Sequence, residues 1–226
     1  MRNDVVLETS HTAVERRLLD RALPEHARVL EIGCGRTTRL REHRRRIERL
    51  VGLDTDIEAG AENPYLDEFV AADACRPLPF ADAAFDVVYA NFVIEHLAEP
   101  EPAFREWRRV LRPGGELVVL TSNVANPLLG AARHLPQPLR LLAKRRVSGA
   151  AERDVFPAVY RANTTRSLER TLTRAGFAVR ELATVATLHR YAGGHRRAAS
   201  ALVRAERLLP AARRSTIVAE FAAVER

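Results

Sequence analysis

The chain has 226 residues, enough for one sizeable core, and its hydrophobic share of 46% is ordinary for a globular protein. Its formal charge of +7 comes almost wholly from arginine, because Lys144 is the only lysine. Solvated arginine faces explain this charge most simply, although a basic surface also favours an anionic substrate, a membrane surface or nucleic acid. No apolar run reaches the roughly 18 residues that span a bilayer, and the N-terminus has no apolar signal-peptide core. We therefore expect a cytoplasmic protein without a transmembrane segment.

The N-terminal segment, residues 1–26, is predicted to hold one helix. Thr12 and Glu15 have the spacing of a capping box, and leucines follow at helical spacing until Pro24. We expect this helix to pack against a sheet or to lie over the mouth of a ligand site.

Residues 29–40 have the pattern of a strand, a tight glycine turn and a helix. Gly33 and Gly35 allow a sharp turn that brings the backbone close to a ligand, and a crossover helix is predicted over 36–50. The next strand ends in Asp54, and an acid about 20 residues beyond such glycines can accept both hydroxyls of a ribose. The pattern predicts a nucleotide-type cofactor, which fits a nicotinamide enzyme or an S-adenosylmethionine (SAM) enzyme.

The dinucleotide pattern G-x-G-x-x-G would need a glycine where this chain has Thr38. The close approach of a pyrophosphate therefore loses support. No set of residues for hydride transfer can be identified either. Both observations argue against an NAD-dependent oxidoreductase.

Five further strands are predicted along the chain, at 68–73, 85–90, 116–121, 179–188 and 216–224. Helices alternate with them, one opening at 99–102 with prolines and acids and one near 197–209. This alternation predicts an α/β fold with a doubly wound sheet of seven strands, mostly parallel with an antiparallel last strand. Cys34 and Cys75 form no CxxC pair and are expected to be reduced.

A series of short motifs occurs in the order seen in class I SAM-dependent methyltransferases. They are Glu31–Gly35, Gly52–Asp54, Ala72–Ala74 with Leu78–Phe80, Phe85–Val88, Glu95–Leu97 and Leu111–Gly115. The sequence resembles the small-molecule branch of that family, closely over about residues 27–122 and more loosely beyond. The resemblance implies a Rossmann-like fold, SAM as cofactor and a small-molecule methyl acceptor. The family usually has a third glycine where this chain has Thr37.

The resemblance also implies a cofactor site. Its residues are Glu31, Gly33, Cys34, Gly35, Asp54, Asp73, Ala74 and Asn91. Glu31 would steady the turn or meet the positively charged amino-acid end of SAM, and Gly33 and Gly35 would admit the methionine and ribose parts. Asp54 would bind the ribose and Asp73 the adenine amino group.

Catalytic residues are harder to assign, because methyl transfer from a sulfonium is an in-line displacement that needs no metal and often little acid–base help. If the acceptor atom is oxygen, as we expect, a base would help to remove the hydroxyl proton. His96 and Tyr160 are the candidates, and each also has a purely structural interpretation. Carbon and nitrogen acceptors stay open. A nucleobase amine is disfavoured, because the prolines of the N-P-P-aromatic signature are absent after Asn91.

Residues 123–163 are predicted to form a helical lid inserted into a single domain that spans 1–226. Leucines alternate there with basic residues, which fits a substrate cap or, as a second reading, a basic amphipathic patch on anionic lipid. The acceptor could accordingly be anionic or lipid-linked, with peripheral membrane contact. Nucleic acid is not expected as a partner, because the arginine content is the only feature that favours RNA methylation. The sequence leaves the oligomeric state open, and a non-catalytic regulatory protein that binds SAM or a nucleotide is the alternative function.

Overall fold

The computed structural model describes residues 11–132, 134, 158–192 and 195–224. Its strands are β1 (Ala27–Ile32), β2 (Ile47–Asp54), β3 (Glu68–Ala71), β4 (Phe85–Asn91), β5 (Leu111–Ser122), β6 (Phe177–Val185) and β7 (Thr216–Ala223). They form one seven-stranded sheet in the order β3-β2-β1-β4-β5-β7-β6. Strands β1 to β5 pair in parallel, and β7 runs antiparallel to both β5 and β6. The predicted Rossmann-like sheet with an antiparallel last strand is confirmed.

Helices cover both faces of this sheet. They are α1 (His11–Ala22), α2 (Ile57–Ala61), α3 (Pro100–Val110), α4 (Pro127–Ala132), α5 (Thr165–Arg174) and α6 (Arg196–Arg207). Because side chains alternate along a strand, Leu30 and Ile32 of β1 face a core that includes Trp107, whereas Val29 faces a second core that includes Leu18. Strands β1 and β4 are buried on both faces, which explains their nearly continuous apolar sequences.

The predicted crossover helix over 36–50 is wrong. Only residues 33–46 connect β1 to β2, because β2 already begins at Ile47. After the glycine turn, this span has room for a 3-10 helix alone, at Leu40–Arg46, whose first backbone N–H donates to the Thr38 hydroxyl at 3.0 Å. A helix N-terminus that could bind an anion therefore does not directly follow the glycines.

The predicted capping box at the start of α1 is also wrong. Thr12 lies within the helix, and its hydroxyl accepts a hydrogen bond from Arg39 at 2.9 Å. Glu15 is buried at 2% exposure and bonds to Tyr89 and Arg39 instead of the helix start. These long-range partners outcompete the local cap.

Two further boundaries differ from the sequence pattern, because strand pairing sets them. β3 ends at Ala71, the partner of Asp54 at the end of β2, so Asp73 lies in the turn beyond the strand. β5 begins at Leu111, directly after α3, so the Pro113–Gly115 motif belongs to the strand.

Helix α5 begins with a side-chain cap. The Thr164 hydroxyl accepts a hydrogen bond from the Ser167 N–H at 3.0 Å, and Leu168 and Leu172 face the core. The predicted sixth strand reaches too far, since Leu188 instead begins a 3-10 helix.

The predicted lid over 123–163 falls largely outside the described residues, which include 123–132, 134 and 158–163. Helix α4 lies in the first of these ranges. Within the described part of the chain, no helix is long and apolar enough to cross a bilayer. The single domain over 1–226, with its helical segment over 1–26, stays a prediction.

The packing of α1 on the sheet predicts the effect of shortening one of its side chains. Leu18 is fully buried, so Leu18→Ala should lower the free energy of unfolding by about 2–5 kcal/mol. Leu208→Ala is the matched control: Leu208 is 87% exposed, and a change within about 0.5 kcal/mol is expected. Urea denaturation measures both. Equal losses would contradict the packing of α1 described above.

Candidate functional site

The glycine turn joins β1 to the 3-10 helix at the carboxyl edge of the sheet. Gly33 and Gly35 have φ angles of 70° and 49°, in the left-handed region that favours glycine. A Cβ on Gly33 would lie 2.3 Å from Cγ2 of Val93, whereas a Cβ on Gly35 would meet nothing within 4 Å. Gly33 is therefore needed for close packing, while Gly35 borders open space where a ligand can approach.

Thr37 fits the turn without backbone strain. The described non-glycine residues with positive φ are His26, Ala83, Phe92 and Tyr160. Thr37 is not among them. A side chain is thus compatible with the backbone at the position where the family usually has its third glycine.

Asp54 connects the end of β2 to the glycine turn. One oxygen of its carboxylate accepts a hydrogen bond from the Gly35 N–H at 2.9 Å, and the other accepts from the Asp56 N–H at 3.0 Å. Each carboxylate oxygen can accept more than one hydrogen bond, so both can still receive ribose hydroxyls. Asp54 thus orients the turn and keeps free acceptor capacity at the same place.

Asn63 is a site residue that sequence reasoning missed. Its side-chain amide donates to the carbonyl oxygens of Cys34 at 3.2 Å and Gly35 at 3.1 Å, and Asn63 is buried. Arg36 of the turn forms ion pairs with Glu58 and Glu62, which both precede Asn63 in the chain. The segment around α2 therefore holds the turn from outside. The sequence did not reveal this role, because an asparagine before a proline has the local pattern of an ordinary turn residue.

Glu31 places a carboxyl group in the floor of the site. It is 3% exposed, its Oε2 has no hydrogen-bond partner among the described residues, and Thr38 bonds to its carboxyl group. Burial, together with the nearby charges of Glu15 and Asp54, raises the pKa of Glu31 from 4.5 to about 8. A cationic group of a ligand would satisfy this oxygen and favour its ionised form.

A buried network links Glu31 to helix α1. Tyr89 is the ladder partner of Glu31 on β4, and its hydroxyl donates to the Glu15 carboxylate. Arg39 donates to the other oxygen of Glu15 at 2.7 Å. Burial raises the pKa of both Glu15 and Tyr89. The N-terminal helix is therefore tied to the site through polar groups, not only through apolar packing.

The next two predicted residues lie at the same sheet edge in different surroundings. Asn91 ends β4, and its side-chain oxygen is buried without a partner among the described residues. Asp73 is exposed in the turn after β3, where its carboxylate accepts from the Cys75 N–H at 2.8 Å. The Ala72 N–H donates to the Asp54 carbonyl at 3.1 Å, which brings this turn beside the end of β2.

The side chains of Cys34 and Ala74 pack in the interior. A Cβ added to Gly52 would lie 2.8 Å from the Cys34 sulfur, so the thiol fills the space that this glycine leaves. Burial raises the pKa of Cys34 to about 12, which keeps the thiol protonated. Ala74 is 8% exposed and belongs to the apolar core. These two residues can offer a ligand only their backbone groups.

Glu95 brings the two catalytic candidates together. Its carboxylate accepts hydrogen bonds from the hydroxyls of Thr121 at 2.7 Å and Ser122 at 3.0 Å, at the end of β5. Its backbone carbonyl accepts from the N–H of Tyr160 at 3.1 Å. Since His96 follows Glu95 directly, this one buried residue fixes His96 and Tyr160 on a common rim.

Backbone strain and further polar contacts mark the same rim. Phe92 and Tyr160 have φ angles of 56° and 54°, a conformation that costs energy for non-glycine residues and that concentrates at functional sites. Asn163 extends the network, donating to the Thr121 hydroxyl at 2.6 Å and to the Ser122 carbonyl at 3.1 Å. These contacts could not be predicted from the sequence, because their partners are far apart along the chain.

Comparison with known proteins agrees with this geometry. Residues 30–119 match a family model described as a methyltransferase domain. The chain is 35% identical over 150 residues to a ubiquinone/menaquinone biosynthesis C-methyltransferase from Hahella chejuensis, covering 58% of this chain and 57% of that one. It is 35% identical over 109 residues to a malonyl-[acyl-carrier protein] O-methyltransferase from Erwinia pyrifoliae, covering 46% and 41%. The chain thus spans between two fifths and three fifths of these relatives.

Solved structures share the fold. A SAM-dependent methyltransferase from Mesorhizobium loti superposes with a TM-score of 0.60 at 17% identity, over 92% of this chain and 95% of the other. The [4+2]-cyclase SpnF superposes with a TM-score of 0.62 at 20% identity, over 95% and 82%. At these identities the likeness concerns the fold alone.

The raised pKa of Glu31 predicts a pH dependence of stability. Between pH 4.5 and about 8 the folded chain holds a proton that the unfolded chain has lost, so the free energy of unfolding should fall as pH rises through this window. Glu31→Gln removes this contribution. Its stability relative to the original chain should therefore increase with pH, by at most about 1.4 kcal/mol per pH unit.

Urea denaturation across this pH window measures the difference. Glu48→Gln, at an exposed position of β2, is the control for removing one carboxylate. If the curves of the original chain and of Glu31→Gln stay parallel from pH 5 to about 8, Glu31 does not carry the raised pKa.

Proposed function

We propose that this chain transfers a methyl group from SAM to a small-molecule acceptor, since residues 30–119 match the family model of a methyltransferase domain. The observation that carries the proposal is the pairing of Asp54 with the Gly35 N–H, beside the unpartnered carboxylate oxygen of Glu31. A diol acceptor and a cation acceptor thereby lie at the ends of adjacent strands. SAM carries both a ribose diol and an ammonium group.

The residues of the site fit SAM in three places. Asp54 would accept the ribose hydroxyls, Glu31 would meet the ammonium group, and the open space beside Gly35 would admit the chain between them. Asp73 would receive the adenine amino group, and the buried oxygen of Asn91 can accept one further hydrogen bond. The backbone of Cys34 and Ala74 would line the cofactor.

When bound, SAM supplies a methyl carbon made electrophilic by its sulfonium. The residues of the chain then have to hold that carbon and the acceptor atom in line, an effect worth up to ~7–11 kcal/mol. Asn63 and Asp54 hold the turn from its two sides, and Glu95 holds the opposite rim. Rigid placement of both halves is the main contribution that we assign to the protein.

We further propose an acceptor that carries a hydroxyl group of the phenol or enol type, with oxygen as the expected methylation site. Removal of the hydroxyl proton makes such a molecule nucleophilic at oxygen and at the adjacent carbon. Such an acceptor would suit the C-methyltransferase of quinone biosynthesis among the relatives, whereas a malonyl group would present a carboxylate, which is ionised near neutral pH without a base. His96 is the candidate base, with Tyr160 beside it to orient the hydroxyl. The two free cysteines fit a reducing, cytoplasmic setting.

A regulatory protein that binds SAM without turnover is the alternative. The fold is also similar to that of a [4+2]-cyclase, so the same sheet can serve a function other than methyl transfer. For this reason we retain the regulatory alternative. Binding and turnover distinguish the two functions.

Calorimetric titration with SAM, S-adenosylhomocysteine and NAD is the first experiment. Micromolar binding of both SAM species without NAD supports the cofactor site. Formation of S-adenosylhomocysteine is then measured with a quinol and with a malonyl thioester as methyl acceptors. Turnover of either supports the enzyme, whereas binding without any turnover across an extended acceptor panel favours the regulatory function. Product analysis by NMR assigns the methyl group to oxygen or carbon.

Loss of the Asp54 carboxylate should weaken SAM binding. Asp54→Ala removes the acceptor of the ribose hydroxyls and the partner of the Gly35 N–H, so we expect at least about a tenfold increase in Kd, or ~1.4 kcal/mol. Asp67→Ala is the control, because Asp67 also accepts a backbone N–H, from Leu50, but lies before β3 at the opposite edge of the sheet. Unchanged affinity in Asp54→Ala would show that the ribose site is misplaced.

The role of Glu95 can be separated from that of the cofactor site. Glu95→Gln keeps the size of the side chain but replaces one of the two acceptors for the Thr121 and Ser122 hydroxyls. We expect kcat to fall by about tenfold while the Kd for SAM stays within about twofold. Thr121→Val should act in the same direction. A parallel loss of SAM affinity would mean that Glu95 supports the fold as a whole and not the rim.

A further inference from the structure

The outer face of α6 is basic and has no exposed acidic residue. The helix contains a single acidic residue, Glu206, which is 1% exposed. Its carboxylate accepts hydrogen bonds from the N–H of Leu188 at 2.9 Å and from the N–H of Ser215, and it lies 3.5 Å from the Asn126 side-chain nitrogen. The only negative charge of α6 therefore points into the protein.

These contacts anchor α6 at the edge of the sheet where the candidate site lies. Ser215 directly precedes β7, whose first residue Thr216 pairs with Ser122 at the carboxyl end of β5. Asn126 caps α4, accepting from the Leu128 N–H at 3.0 Å. Helix α6 thus lies on the acceptor side of the molecule, beside the rim that Glu95 organises.

The residues that we call the α6 outer face share one side of the helix by their spacing. They are Arg197, Ala201, Arg204, Ala205 and Leu208, all exposed, with Leu208 at 87%. The structure shows no ion pair of Arg197 or Arg204 with another described residue. The face is therefore both basic and apolar.

Arginines elsewhere are arranged in several ways, and Arg41 and Arg45 of the 3-10 helix at Leu40–Arg46 are also exposed without an ion pair to a described residue. Many have a carboxylate partner, among them Arg16, Arg17, Arg21, Arg36, Arg44, Arg49, Arg105, Arg109 and Arg112. Helix α5 also exposes arginines, but Glu169 and Thr173 accompany them and its leucines are buried. Only a surface that combines unneutralised arginines with exposed apolar side chains fits the boundary between lipid headgroups and acyl chains.

We propose that the α6 outer face docks this protein on an anionic lipid surface. The guanidinium groups of Arg197 and Arg204 would bind lipid phosphates, and Leu208 would insert among the acyl chains. The purpose of this docking rests on the proposed function, because it would place the acceptor side of the site next to a lipid-linked acceptor. The docking itself requires no methyl transfer.

Cosedimentation of the full chain with vesicles tests the proposal. We compare vesicles of phosphatidylcholine alone with vesicles of phosphatidylcholine and phosphatidylglycerol, and we expect binding to the anionic vesicles only. The double variant Arg197→Glu, Arg204→Glu should bind at least about tenfold more weakly, and Leu208→Asp should also lose binding. The double variant Arg170→Glu, Arg174→Glu on α5 is matched in charge and should stay within about twofold of the original chain.

Three results would overturn the proposal. The original chain could fail to bind anionic vesicles, or the α5 and α6 double variants could lose binding equally, which would indicate net charge alone. The chain could also bind single-stranded RNA through α6 while ignoring vesicles. Urea denaturation of each variant confirms that it is folded. Turnover with a soluble acceptor and no vesicles tests the proposed function separately, so either can fail without the other.

Discussion

The hydrogen bond from the Gly35 N–H to the Asp54 carboxylate is the contact on which the site depends. It requires the left-handed backbone that glycine permits, and it spans the gap between β1 and β2 where parallel strands leave their carboxyl ends open. Asn63 fixes the carbonyl side of the same turn. The turn is thus defined from both sides before any ligand binds, which reduces the ordering that binding would otherwise require.

The second constraint is electrostatic. Glu31 and Glu15 are both buried, and Tyr89 lies between them as the ladder partner of one and the hydrogen-bond donor of the other. Arg39 offsets the charge of Glu15, whereas Glu31 keeps an unpartnered oxygen. An uncompensated buried carboxyl group is costly in isolation, so its retention in the floor of the site fits a cationic ligand.

The sequence predicted those features that depend on local pattern. Asp54 could be identified because a strand pattern ends in it at the right distance from Gly33, and the sheet followed from the alternation of elements. Asn63 could not be identified, and Glu95 appeared only as part of a motif without a role, because each acts through partners far along the chain. The crossover helix was predicted wrongly because nothing local showed that β2 begins as early as Ile47.

The two halves of the sheet differ in the same way: one can be predicted from local pattern, and the other depends on contacts between distant parts of the chain. The half that we propose for the cofactor is built by β1 to β4, whose pairing follows chain order closely enough for a pattern to reveal it. The half that we propose for the acceptor depends on β7, which inserts between β5 and β6 and thereby brings Ser215 and the Glu206 anchor to the end of β5. Such a reversal of strand order places residues together that no spacing rule connects. The residues that we propose to select the acceptor therefore come together through the strand pairing that is hardest to predict from the sequence.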